Sequence, residues 1–301
     1  MKKLIFTVAA VSLYGLASVK AQGFLFINSD GEEKELLSKN GHQILPQKGD
    51  WSLGVNATTV LRYIGNAANG ETNNNQPSFA VVSKNLPTAT IYGKYFIADD
   101  LAWRGGLDVF ADLDRDRFRV DDDGSNNPDD VVFDIRDIDR FGITASLGLE
   151  KRKGKSRVQG IYGADVFVHY TTNNSFNWQY GNAITASNQE PTITGSASNP
   201  TGVAQPVLGY RITEADFGDR FEVGARAFAG VEYFFAPKMS LSGEFYWGIN
   251  YGVNGTTSLT YESFEGSQNR VIETSTFTEG NRDLEIGLEN TSATINLFFY
   301  F

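Results

Sequence analysis

His169 and Asp165 are the residues of this chain best placed, by type and spacing, to move a proton. They stand four apart in a segment that alternates polar with apolar residues, so an extended backbone puts both on its polar face. A histidine with a carboxylate partner is a general acid–base pair, and at the rim of a scaffold it would suit hydrolytic or lipid-modifying chemistry. The same two residues would equally serve as a rim imidazole hydrogen-bonded to an interior carboxylate. Beyond His169 the chain has one histidine, His42, without obvious partners, and no cysteine. Acid–base and metal chemistry are thereby restricted. We expect no enzyme activity and no cofactor; the His169/Asp165 pair is the alternative.

The other concentration of chemistry is acidic. The stretch "DLDRDRFRVDDDGSNNPDD" holds Asp112, Asp114, Asp116, Asp121, Asp122, Asp123, Asp129 and Asp130. Calcium takes several carboxylate and carbonyl oxygens on a flexible turn, which makes Asp121, Asp122, Asp123 and Asp129 candidate ligands. The spacing does not match a twelve-residue calcium loop, and Arg115, Arg117 and Arg119 interleave. A solvated acidic loop accounts for the run as well.

These residues must be held by something, and the chain's ends bound what. "MKKLIFTVAAVSLYGLASVKAQ" has two lysines, a short apolar run and small residues at Val19 and Ala21, the anatomy of a signal peptide spanning 1–21. No later run approaches the length of a transmembrane helix. Without cysteine, neither disulfides nor a thiol-linked lipid is available. Aromatics make up 13% of the residues, mostly Phe and Tyr, and favour β structure. The net charge of −10 argues against nucleic acid as a partner.

From Trp51 onwards, eight segments show the period-two alternation of strands with unlike faces. They begin at Trp51, Ala89, Leu101, Phe141, Val158, Phe221, Met239 and Ala293. Three connections are short: "ADD", "KRKGKSR" and "APK". The others, about 64–88, 112–140, 171–220 and 252–284, are long, and short and long alternate. That asymmetry predicts an all-β fold, an eight-stranded antiparallel up-and-down transmembrane β-barrel over 51–301, with both termini on the periplasmic side. The polar face carries Lys94, Arg104, Asp108, Glu150, Asp165, Arg226, Glu232 and Glu244. In so narrow a barrel these would form a paired network filling the lumen. Trp51, Tyr63, Tyr95, Tyr170, Tyr233, Tyr251 and Phe301 would form aromatic girdles at the two interfaces.

The leader 22–50 contains "SDGEEKELLSKNG", which suggests a short helix capped at Ser29 or Asp30 and stopped at Gly41. "KRKGKSR" reads as a solvated periplasmic turn. The 171–220 connection embeds Phe176, Trp178 and Tyr180 in polar, turn-rich sequence, where binding loops are usually found.

The signal, "GDWSLGV", "GVEYFFAPKMSLSGEFYWG" and the aromatic last segment "TINLFFYF" resemble a porin-like outer-membrane β-barrel family, in particular small eight-stranded OmpA/OmpX-like barrels of the Bacteroidota type of Gram-negative envelope. The resemblance implies localisation in the cell outer membrane, with outer-membrane lipid and the barrel-assembly machinery as partners. It also implies that Phe299 and Phe301 belong to a C-terminal assembly signal. The expected role is structural, or binding of an extracellular ligand through long loops. A small barrel hydrolase or lipid-modifying enzyme and a narrow porin are the alternatives.

Overall fold

The computed structural model describes residues 36–38, 40–57, 83–84, 90–154, 156–172, 175–194 and 210–301. The expected signal peptide, Ser29, Asp30, Tyr63 and Ala89 lie outside them. Among the described residues the structure is all-β. Its strands are β1 Trp51–Asn56, β2 Ser83–Lys84, β3 Ile91–Ala98, β4 Leu101–Asp121, β5 Val131–Lys153, β6 Val158–Thr172, β7 Ser175–Gln179, β8 Tyr210–Asp216, β9 Asp219–Ala236, β10 Met239–Asn254, β11 Thr257–Glu265, β12 Arg270–Thr278 and β13 Arg282–Tyr300.

All pairings are antiparallel, and eight strands close on themselves in the order β1–β3–β4–β5–β6–β9–β10–β13. Ser52 opposite Tyr300 begins the closing ladder, and Asn56 opposite Asn296 ends it. Each of the eight alternating segments of the sequence is one strand of this ring. Tight turns join β3 to β4 and β9 to β10, the latter with Lys238 in the left-handed region at φ 60°. Phe301 is held at this short-turn end: it exchanges backbone hydrogen bonds with Trp51 and stacks on its ring at 4.4 Å.

The alternation resolves into an apolar outside and a charged inside. Leu53, Ile91, Trp103, Val109, Leu147, Val231, Phe245 and Trp247 point outward and are exposed. The other parity is buried, including Arg104, Glu150, Arg226 and Glu232. Neighbouring strands pair large inward residues with small ones. At one level Arg104, Gly148, Asp165, Arg226 and Gly248 face each other in turn; at the next, Ala102, Glu150, Gly163, Phe228 and Tyr246 do. A Cβ on Gly148 would strike the Ala164 carbonyl and Asp165, and one on Gly163 would strike the Leu149 carbonyl and the Phe228 ring. Glycine at these positions makes room for guanidinium and aromatic groups in a narrow interior.

Two of the expected long loops, 112–140 and 252–284, are largely sheet, and 171–220 contributes β7 and β8. β4, with 21 residues, pairs with β5 along its whole length and runs well past the ring. β5 then changes neighbour: residues 142–153 pair with β6 and 135–139 with β7. β7, β8, β11 and β12 continue an extended sheet beyond the ring. Arg115–Asp137 and Arg140–Asp112 at 2.6 Å, with Arg136–Asp116 at 2.5 Å, are cross-strand ion pairs on this hairpin. Half of the acidic residues, Asp112, Asp114, Asp116 and Asp121, are therefore in strand, where Asp112 and Asp116 pair with arginines, and Asp122–Asp130 forms the turn.

The leader also departs from expectation. Gly41 does not stop a helix: at φ 79° it lies in a turn between Leu37 and Gln43, which form a β-bridge. The segment folds back under the ring, and Ile44 packs among Tyr92, Phe96, Ala102, Phe234, Phe298 and Tyr300. Burying one isoleucine side chain is worth about 1.5–3 kcal/mol.

Candidate functional site

The interior charges form one connected cluster. Lys94 Nζ lies 2.8 Å from Glu150 and 3.2 Å from Glu232. Arg104 reaches Glu244 at 2.6 Å and Glu150 at 3.2 Å. Arg152 reaches Glu232 at 2.8 Å and Glu150 at 3.2 Å. On the register level of Arg104, Arg226 meets Asp165 at 2.6 Å. Four cations thus face four carboxylates.

Hydroxyl groups supply the carboxylates with further donors. Ser242 donates to Glu244 at 2.7 Å and Tyr246 to Glu244 at 2.5 Å, while Ser240 and Tyr300 both donate to Glu232. Aromatic faces cover the cations: Lys94 sits 3.9 Å from the Phe298 ring centre and Arg104 4.6 Å from that of Phe228. A buried charge is tolerable only when paired and hydrogen-bonded; every charge of this cluster is paired, and the aromatic faces lie over guanidinium groups with donors, such as Arg152 Nε and Nη1, that lack an acceptor. What it can do chemically is close and order the interior.

Of the expected network, Lys94, Arg104, Asp165, Arg226, Glu232 and Glu244 are present. Asp108 is not: it is partly exposed higher on β4 and accepts a hydrogen bond from Thr90. Glu150, on the expected polar face, and Arg152, absent from it, also belong to the cluster. Arg152 corrects the reading of "KRKGKSR" as a solvated turn, because β5 continues through Lys153 and keeps Arg152 on the inward parity. Continuing the run Thr144, Ser146, Gly148, Glu150 by one more step would have found it.

The His169/Asp165 pair is not brought together. Four strand residues span about 13 Å, and each side chain has another partner. Asp165 is taken by Arg226, while His169 Nδ1 lies 2.8 Å from Thr144 Oγ1. His169 faces Thr144 on one neighbouring strand and Glu222 on the other. Around this mouth Arg220 binds Asp283 through two hydrogen bonds of 2.8 and 2.9 Å, and a cavity of about 400 Å³ opens between Arg220, Glu222, Asn281, Asp283 and Glu285.

The candidate calcium ligands also disperse. Asp121 ends β4, and Asp122 accepts from the Gly124 amide at 2.8 Å within its own turn. Asp123 accepts from Asn188 at 2.7 Å and from the Thr192 amide at 2.8 Å. Asp129 donates its amide to Asn127. Among the described residues no group of three or more His, Cys, Asp or Glu is arranged to hold a metal.

What the acidic turn does instead is fasten the 180–194 segment over the extended sheet. Asp134, wholly buried, receives the amides of Gly181 and Thr194 at 2.9 and 2.8 Å. Trp178, in the stretch expected to be a binding loop, is buried, stacked on Tyr180 at 5.9 Å and flanked by Arg136.

Burial pushes the Asp123 carboxyl up, but the bonds from Thr192 and Asn188 outweigh it and hold it below the usual carboxylate range. A depressed value in the folded chain means the anchor is fully present above about pH 4, the ordinary aspartate value. It is lost only as pH falls through the lower folded value. Amide exchange at Thr192, read by mass spectrometry, is therefore expected to be slow at pH 6 and fast in Asp123→Ala at the same pH. Equal rates in the two chains would mean that the anchor contributes nothing.

No protein-family model matches the chain, and neither does a curated protein or a solved structure.

Proposed function

We propose that this chain is an outer-membrane β-barrel protein, an eight-stranded up-and-down barrel with a filled, charge-paired lumen. Its role is structural or surface-binding, exercised through the sheet and connections that extend beyond the ring. One observation carries the reading: among the described residues the outward parity of the ring strands is mostly apolar and exposed or half-exposed, while the ion pairs are sealed inside. In water this arrangement would waste the hydrophobic effect, and in hydrocarbon it satisfies both faces. A closed ring also leaves no strand edge in the lipid, as a bilayer demands.

The dimensions agree. A tilted strand crosses a bilayer in about 9–11 residues, so β4 and β5, with 21 and 23 residues, have about half their length left to project. Trp51, Tyr95, Tyr233 and Phe301 ring the short-turn end and Tyr251 lies towards the other, where aromatic girdles would sit. A non-enzymatic role is supported by the separate partners of His169 and Asp165, and a non-conducting one by the filled lumen. Heat-modifiable migration of the purified chain on a detergent gel, with protease cleavage of intact cells confined to the connections opposite the short turns, tests barrel and topology together. Cleavage of intact cells at the 154–157 turn would refute the orientation, and a band that heat does not shift would count against the barrel.

A further inference from the structure

The leader does more than link. Between Leu36 and Asp50 the chain crosses the short-turn end of the ring and is tied to it from several sides. Gly49 donates to the Phe96 carbonyl at 2.8 Å, and Phe96 returns a bond to Asp50 at 2.9 Å. The Lys48 amide donates to Asp99 at 2.8 Å, and Lys238 pairs with Asp50 at 2.9 Å. Those ties position Ile44, 1% exposed, against the innermost aromatic layer, with Leu36 and Leu45 packed beside it.

Directly behind that layer is Arg152, whose guanidinium lies 4.7 Å from the Phe96 ring centre and 5.4 Å from that of Tyr300. Its Nε and Nη1 are buried without a hydrogen-bond partner, as is the hydroxyl of Ser52. Unmet donors under a lid favour entry of water whenever the lid lifts. The lid is small: two buried residues, Ile44 and Pro46, a few backbone bonds and an ion pair with a partly exposed lysine. Segments held by so few contacts open locally while the ring behind them stays folded.

We propose that Leu36–Asp50 is a displaceable stopper, with Ile44 as its seal, which keeps water out of the lumen at the short-turn end and admits it when lifted. The closed form is the one described above. In the lifted form water reaches Arg152, Ser52 and the aromatic layer, while the ion cluster beyond them continues to block the lumen.

The absence of cysteine makes a thiol probe clean. Ser52 faces inward at this end, 2% exposed, opposite Tyr300 and Lys94. In the full chain carrying Ser52→Cys, folded in detergent, a charged thiol reagent is expected to react slowly. Adding Ile44→Asp is expected to speed the reaction at least tenfold, with heat-modifiable migration retained; if that pair fails to fold, Ile44→Ala is read in the same way. Labelling equally fast with and without the Ile44 change would overturn the proposal, whether both rates were high or both low. The barrel reading does not depend on this result, since heat-modifiability reports the ring separately.

Discussion

Glu232→Ala is expected to destabilise the ring by about 3–5 kcal/mol, the cost of breaking a buried ion pair from one side. Glu232 is the point where the cluster converges: Lys94 and Arg152 both pair with it, and Ser240 and Tyr300 both donate to it. Truncation leaves two buried cations sharing Glu150 and two hydroxyls without their acceptor. A loss of that size is a large fraction of the about 5–15 kcal/mol that keeps a typical domain folded. The folded, heat-modifiable band should therefore fade, and urea unfolding in detergent should shift to much lower concentration. Adding Lys94→Met should recover part of the loss, because it removes one of the stranded charges. A Glu232→Ala chain as stable as the parent would mean that the cluster is decorative.

Leu147→Arg separates lipid from water on the outside of the ring. Leu147 lies midway along the part of β5 that pairs within the ring, opposite Gly105 and Val166, and half of it is exposed. Against hydrocarbon, an arginine near the bilayer midplane costs about 2–4 kcal/mol. Against water, a surface substitution of this kind stays within about 0.5 kcal/mol. Folding yield and urea midpoint in vesicles should both fall for Leu147→Arg and change little for Leu147→Met. An unchanged midpoint for the arginine variant would place the apolar face in water.

The eight ring strands were legible because each carries two unlike faces, and the step of two sorts residues such as Leu147 and Gly148 without knowledge of partners. The extended sheet was not legible. Along Asp112–Val120 charges fall on both parities, and its stability comes from pairs such as Arg115–Asp137 across the hairpin, so no apolar period marks the strand. The 180–194 segment failed for a related reason. Its polar residues look solvated in sequence, but Asp123 and Asp134 satisfy its amides.

For the interior, parity supplied most members but not their pairing. Lys94 and Glu232 are 138 residues apart, and only the register of the closed ring brings them together. His169 and Asp165 show the converse. Their shared parity was real, but the cross-strand neighbours Thr144 and Arg226 are closer to each than they are to one another.

The most direct test of the account is what solvent the folded chain requires. The chain without residues 1–21, refolded in detergent and then mixed with phospholipid vesicles, should float with them on a density gradient. Dilution into detergent-free buffer should leave it precipitated. If it instead remained folded, monomeric and dissolved in plain buffer, and stayed behind when the vesicles rose, the apolar face would be a water-exposed surface and the membrane assignment would be wrong.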